Sequence, residues 1–141
     1  MEYKELMKQA IEIRDRAYTP YSNYQVGAAL LSKSGRIFCG CNVENAAYSP
    51  GICAERTAFV KAVSEGEREF SAIAVIGGAA GGSMELAPPC GICRQVMREF
   101  CDPDTFEIVL GTGVEDYQVY TLSQLLPMSF GPENLEKKEM A

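Results

Sequence analysis

The chain has 141 residues, a formal net charge of -6, six cysteines and no histidine. That length suits one domain that buries roughly two-thirds of its unfolded surface. The acidic balance argues against a nucleic-acid or anionic-membrane partner, because phosphate binding is driven mainly by Lys and Arg, and leaves a small-molecule substrate as the better fit. The missing histidines exclude a Ser-His-Asp triad, a Cys-His nucleophile and every histidine-ligated metal site.

The chain opens on Met1-Glu2-Tyr3-Lys4-Glu5, which lacks the basic start and apolar run of a secretory signal. No stretch approaches the length of a membrane span. The cysteines therefore read as cytoplasmic thiols rather than a disulfide framework. Glu2 to Tyr18 places Leu6, Ala10, Ile13 and Ala17 four, three and four apart, the stripe of an amphipathic helix. Pro20 ends it and opens the loop Thr19 to Asn23. Val26 to Leu31 and Arg36 to Cys41 read as an antiparallel hairpin whose turn, Ser32 to Gly35, places a glycine where a positive φ is needed.

Asn42 and Glu44 follow, two apart, so an extended chain turns them to one face. An amide beside a carboxylate suits a sugar hydroxyl. The local pattern alone favours a solvated turn. Ala46 to Ile52 is an irregular approach loop. Ala54 to Glu65 is a helix that buries Ala58, Phe59, Ala62 and Val63, with Gly66 at the C-terminal cap position. Ser71 to Gly77 is a nearly continuous apolar run, as a central strand requires. Gly78 to Pro89 is a loop with no assigned role beyond delivering Cys90. Gly91 to Cys101 is a helix with Ile92, Val96 and Phe100 inward. Phe106 to Leu110 and Gln118 to Thr121 are strands, Leu122 to Leu126 a short helix stopped by Pro127, and Glu133 to Ala141 a polar, frayed end. The domain is expected over residues 1–130, with 131–141 as a polar tail. The element order gives a sheet with helices on its faces.

Chemistry concentrates in Cys53-Ala54-Glu55 and Pro89-Cys90-Gly91-Ile92-Cys93. Cys90 and Cys93 have the spacing with which one loop grips one metal, and soft sulfur favours zinc over magnesium or calcium. A structural zinc site takes a second pair of ligands. Here the other segment offers one thiol, Cys53, and a carboxylate two positions on. Three ligands, an open position and a nearby acid-base group describe a catalytic zinc. Both segments start helices, whose N-terminal field stabilises thiolates. Three thiolates on Zn²⁺ carry a net charge of about -1, so a cation is expected beside them. Arg56 is the first choice and Arg94 the second; each reads equally as a surface arginine on a helix.

These motifs resemble the cytidine deaminases of the small type with three cysteine ligands. The match runs from about Tyr3 to Phe130. It includes Tyr18-Thr19-Pro20-Tyr21-Ser22, Val26-Gly27-Ala28-Ala29, Asn42-Val43-Glu44-Asn45-Ala46-Ala47-Tyr48, Cys53-Ala54-Glu55-Arg56-Thr57-Ala58, Pro89-Cys90-Gly91-Ile92-Cys93-Arg94-Gln95 and Leu125-Leu126-Pro127. The resemblance implies a three-layer α/β/α sandwich around a five-strand mixed sheet. It implies one zinc on Cys53, Cys90 and Cys93 that activates water for attack on C4 of cytosine, with Glu55 as the proton carrier. It implies further that the Ala54 N–H receives the pyrimidine O2 and that Asn42 and Glu44 hold the ribose 3′-hydroxyl, reversing the local reading of that pair. Arg56 would compensate the sulfur charge. Phe130 would reach a neighbouring subunit's base site in a homotetramer.

Tyr24 stands where this family has phenylalanine near the base, and its hydroxyl has no role in that pattern. Ser49-Pro50-Gly51-Ile52 and the extra thiol Cys39 are further departures. Cys39, Cys41 and Cys101 read as small core residues. The expected reaction is hydrolytic deamination of cytidine and 2′-deoxycytidine in pyrimidine salvage. The rivals are deamination of another nucleoside or a blasticidin-like antibiotic, and a non-catalytic zinc module. Glu55 separates the last, because a structural site has no need of it.

Overall fold

The computed structural model describes residues 3–135. Five strands form one mixed sheet in the order β2-β1-β3-β4-β5. β1 (Gly27–Ser32) pairs antiparallel with β2 (Ile37–Cys41) on one side and with β3 (Phe70–Ile76) on the other. β3 runs parallel to β4 (Glu107–Gly111), which pairs antiparallel with β5 (Tyr117–Thr121). A parallel pair needs a crossover, and α3 (Gly91–Phe100) supplies it between β3 and β4.

Alternation along the strands divides the core in two. Ala28, Leu30, Ile73, Val75, Ile108 and Leu110 face α2 (Ala54–Ser64) and α3, where Phe59 packs edge-on against Phe70 with ring centres 5.1 Å apart. Ala29, Ala72, Ala74, Ile76 and Val109 face α1 (Lys4–Arg14). This is the expected three-layer arrangement. The central strand β3 is buried on both faces, which is why its sequence lacks alternation. Gly35 takes φ +96° in the β1–β2 turn and Gly66 takes φ +98° after α2, each where the sequence asks for it. Among the described residues no helix is long and apolar enough to cross a membrane.

Two helices depart from expectation. α1 stops at Arg14, four residues short of Tyr18. The segment beyond it leaves the helix to bond elsewhere: the Tyr18 N–H donates to the Asn42 carbonyl at 3.0 Å, and the Glu44 N–H donates to the Tyr18 carbonyl at 2.9 Å. The buried stripe of α1 is Leu6, Met7, Ala10 and Arg14, while Ile13 and Ala17 are only half-buried. α3 is rotated relative to the expected inner face. Ile92 is 62% exposed, and Cys93 and Met97 point inward, with Val96 and Phe100 at the core's edge. Once Cys93 faces the other thiols, 3.6 residues per turn carries Met97 inward and Ile92 out.

At the C-terminal end, α4 (Leu122–Leu125) starts on a capping box between Thr121 and Gln124. Pro132–Leu135 then forms a 3₁₀ turn seated on α3, so this part of the expected frayed end is folded. Residues 136–141 lie outside those described.

Candidate metal centre and adjoining cleft

Cys53 and Cys90 are the N-cap residues of α2 and α3, both in extended conformation, and Cys93 lies in the first turn of α3. α2 comes close to β2 because Gly40 has no side chain: a Cβ there would lie 2.5 Å from the Ala58 nitrogen and 2.6 Å from the Ala54 carbonyl. The first turn of α2 is closed by the Thr57 N–H and hydroxyl, which donate to the Cys53 carbonyl at 3.0 and 3.1 Å. The Arg94 N–H does the same for Cys90 at 3.0 Å.

The Sγ atoms of Cys53, Cys90 and Cys93 all lie within 4.8 Å of one another. Cys53 to Cys90 is 3.9 Å and Cys90 to Cys93 is 3.5 Å. Thiolates in tetrahedral coordination at about 2.3 Å from zinc sit about 3.8 Å apart, so the three sulfurs fit the ion. The electrostatics point the same way. The hydrogen bond with Cys93, followed by the bonds and charge of Arg56, pulls the Cys53 thiol down to about 5 against the cost of its burial. Cys93 moves the other way, pushed up by its hydrogen bond to Cys53 and by burial. Of this pair, Cys53 beside Arg56 is the thiol that carries the charge more readily.

Arg56 donates from Nη2 to Cys53 Sγ at 3.3 Å, and its contacts with Cys53 and Cys93 keep it charged. Its Nε is buried without a partner. Arg94 is committed elsewhere: Nε donates to the Pro89 carbonyl at 2.7 Å and Nη1 to the Leu125 carbonyl at 2.5 Å. Glu55 is 4% exposed, and its charge is felt by Cys53 and Cys93. Burial pushes its carboxyl up to about 7, against its own backbone N–H, which favours the charge. A carboxyl balanced near neutrality can both take and give a proton. Ala54 is fully buried as the first residue of α2.

A cleft of about 520 Å³ opens beside this cluster. Asn42, Glu44, Cys53 and Arg56 line it, together with Tyr21, Ser22, Asn45 and Tyr48, to which sequence reasoning gave no role. Glu44 accepts the Tyr21 and Ser22 N–H groups at 2.9 and 3.1 Å and the Ser22 hydroxyl. These bonds, led by the Ser22 hydroxyl, hold its carboxyl below the usual range. Asn42 accepts from the Val26 N–H and donates to the Tyr24 carbonyl, both at 2.9 Å. The pair is thus locked by the Tyr21–Val26 stretch, which is more than a solvated turn needs. Tyr48 adopts φ +66°, a strained conformation for an aromatic residue, at the cleft wall. The signal for Tyr21, Ser22 and Tyr48 lay in the sequence motifs quoted above, but no local rule said what they touch.

The cleft reaches the cluster at Cys53 and Arg56, whereas Ala54, Glu55, Cys90 and Cys93 lie behind its lining, and Tyr24 and Phe130 do not line it either. Burial, and after it the charge of the nearby Glu85, raises the Tyr24 hydroxyl above its ordinary value. Glu85 is itself paired through its backbone with Gly77, so the loop between β3 and Cys90 is tied down there. Phe130 is 57% exposed beyond α4. Cys39 and Cys41 share a face of β2, half-buried, and Cys101 is buried in the core.

The family model for the cytidine and deoxycytidylate deaminase zinc-binding region matches residues 1–109. A cytidine deaminase of Halalkalibacterium halodurans is 49% identical over 135 residues, covering 96% of this chain and 98% of that protein. The crystal structure of cytidine deaminase from Burkholderia pseudomallei superposes with a TM-score of 0.80 at 47% identity, over 92% of this chain and all of that one. That from Mycobacterium tuberculosis gives 0.79 at 35% identity, over 93% and 98%.

Proposed function

The chain belongs to the cytidine and deoxycytidylate deaminase family, and on that footing we propose that it hydrolyses cytidine and 2′-deoxycytidine to uridine and 2′-deoxyuridine with release of ammonia. The observation that carries this reading is the meeting of three thiols within 4.8 Å of one another beside a buried carboxyl, Glu55.

Cys53, Cys90 and Cys93 would hold one zinc ion per chain. When bound, zinc supplies a Lewis acid that makes a water acidic enough to attack C4 of the pyrimidine. Glu55 would take one proton from the attacking water and give it to N3, then take the second from the hydroxyl added at C4 and give it to the departing amine, so that ammonia leaves as the C4 carbonyl forms. Its burial excludes solvent from that exchange and sets it near neutrality. The Ala54 N–H, at the start of α2, receives the pyrimidine O2. Arg56 offsets the sulfur charge from its bond to Cys53.

Asn42 and Glu44 would take the ribose 3′-hydroxyl. Glu44 is ionised and held by three donors, so it accepts from a sugar hydroxyl without having to be ordered on binding. A site that grips ribose in this way selects free nucleosides, the substrates of pyrimidine salvage. Tyr24 would pack near the base by its ring while its hydroxyl serves the Glu85 loop. Phe130 would enter the base site of a neighbouring subunit in a homotetramer. Six unbridged cysteines, three of them metal ligands, suit the reducing cytoplasm. The deaminase unit would span residues 1–130, with the turn Pro132–Leu135 packed onto it.

Glu55→Gln tests the mechanism. The variant should retain zinc and the fold and lose turnover of cytidine by at least about 10²-fold. Near-normal turnover in zinc-loaded Glu55→Gln would remove Glu55 from the reaction.

A further inference from the structure

The C-terminal segment is held to α3 by three side chains of that helix. Arg94 Nη1 donates to the Leu125 carbonyl at 2.5 Å, and Gln95 Nε2 donates to the Phe130 carbonyl at 2.8 Å. Arg98 Nε donates to Ser129 Oγ at 2.7 Å, and Nη2 pairs with the Glu133 carboxylate. Arg98 is 7% exposed, an unusual place for a guanidinium on a surface helix. Gly131 is buried against it: a Cβ at that position would collide with the guanidinium itself. Asn134 closes the turn, accepting the Gly131 N–H at 2.8 Å and donating to the Gly131 carbonyl at 2.9 Å.

The segment is thus pinned at Ser129, Phe130, Gly131 and Glu133, yet the Phe130 side chain stands 57% exposed between pinned neighbours. A buried arginine adds little to stability by itself, since desolvation opposes its ion pair. What its planar fork supplies is fixed geometry. An aromatic held in place before docking loses less freedom on docking than one on a slack loop.

We propose that Arg98 is a positioning residue for the partner subunit's site: its guanidinium, seated on the bare backbone of Gly131, locks residues 129–133 so that Phe130 is held out as a rigid insert for a second copy of this chain. The inference rests on the reading that Phe130 enters a neighbour's base site. It adds that α3, which carries Cys90 and Cys93 at one end, also aims the residue that completes the neighbour's cleft. Arg98 touches no substrate.

The test compares Arg98→Met, which keeps the bulk and removes the fork, with Phe130→Ala and the double variant. Steady-state kinetics with cytidine and amide hydrogen exchange over residues 129–134 are both measured. Arg98→Met should raise KM about three- to tenfold with little change in kcat or zinc content. Exchange at Gly131 and Asn134 should quicken by at least about tenfold. The double variant should be no worse than Phe130→Ala alone, because both changes remove the same contact. Glu133→Gln, on an exposed partner, should shift KM the same way by less, and it replaces Arg98→Met if that variant does not fold. A raised KM in Phe130→Ala beside an unchanged KM in Arg98→Met and Glu133→Gln overturns the role of Arg98 alone. Multiplying effects in the double variant also overturn it. An unchanged KM in Phe130→Ala defeats the reading of Phe130, and this inference with it.

Discussion

Glu55 and Arg56 are adjacent in the chain and opposite in environment. Glu55 is buried, and that burial sets its carboxyl near neutrality, whereas Arg56 stays charged because sulfur is its partner. The Arg56 bond to Cys53 reaches across a single helical turn, so the residue that stabilises the thiolate comes from the same segment that supplies it. Partners of this kind typically contribute 10- to 100-fold to metal affinity. Arg56→Ala should therefore still take up zinc at micromolar protein but lose it about 10- to 100-fold more readily to a competing chromophoric chelator. Affinity equal to that of the unaltered protein would show that the charge is offset elsewhere. The meeting of the three cysteines was legible in the sequence, because few residue types offer soft metal donors and their spacing restricts the options further. The choice between Arg56 and Arg94 was not legible. Both follow a motif residue, and only the rotation of each helix decides that Arg94 spends its donors on two carbonyls.

Elements were legible where their determinants are local. The β1–β2 hairpin, α2 with its glycine cap and the buried strand β3 all follow from spacing and turn residues within a few positions. The end of α1 failed because Tyr18 bonds to Asn42 and Glu44, partners more than twenty positions away. The facing of α3 failed because Cys93 is turned inward by Cys53 and Cys90 rather than by an apolar stripe. Gly40 is the element-scale feature on which the site leans. It lets the first turn of α2, with Cys53 as its cap, lie directly on β2. Gly40→Ala should cost about 1–3 kcal/mol of stability by overpacking and weaken zinc binding as Cys53 shifts, read by thermal unfolding and metal analysis. Gly113→Ala, where a Cβ meets open space, is the control and should leave zinc content unchanged. Normal stability and zinc content in Gly40→Ala would mean that α2 can retreat without disturbing its cap.

At the scale of the molecule, one sheet face carries both helices whose N-termini converge on the thiols, and among the described residues the opposite face carries α1 alone. The sheet order follows from pairing the hairpin beside a β-α-β crossover, and it brings residues 53 and 90 together across a sequence gap that no local rule spans. Composition narrows the donor set on its own: with no histidine, sulfur dominates any transition-metal site in this chain. The most direct measurement follows cytidine by loss of ultraviolet absorbance in zinc-loaded, chelator-stripped and zinc-restored protein, with metal analysis of the same samples and adenosine and blasticidin S as controls. The account predicts close to one zinc per chain, turnover of cytidine that vanishes on stripping and returns on restoration, and no turnover of the controls. Full activity without zinc, or consumption of a control in place of cytidine, would contradict it.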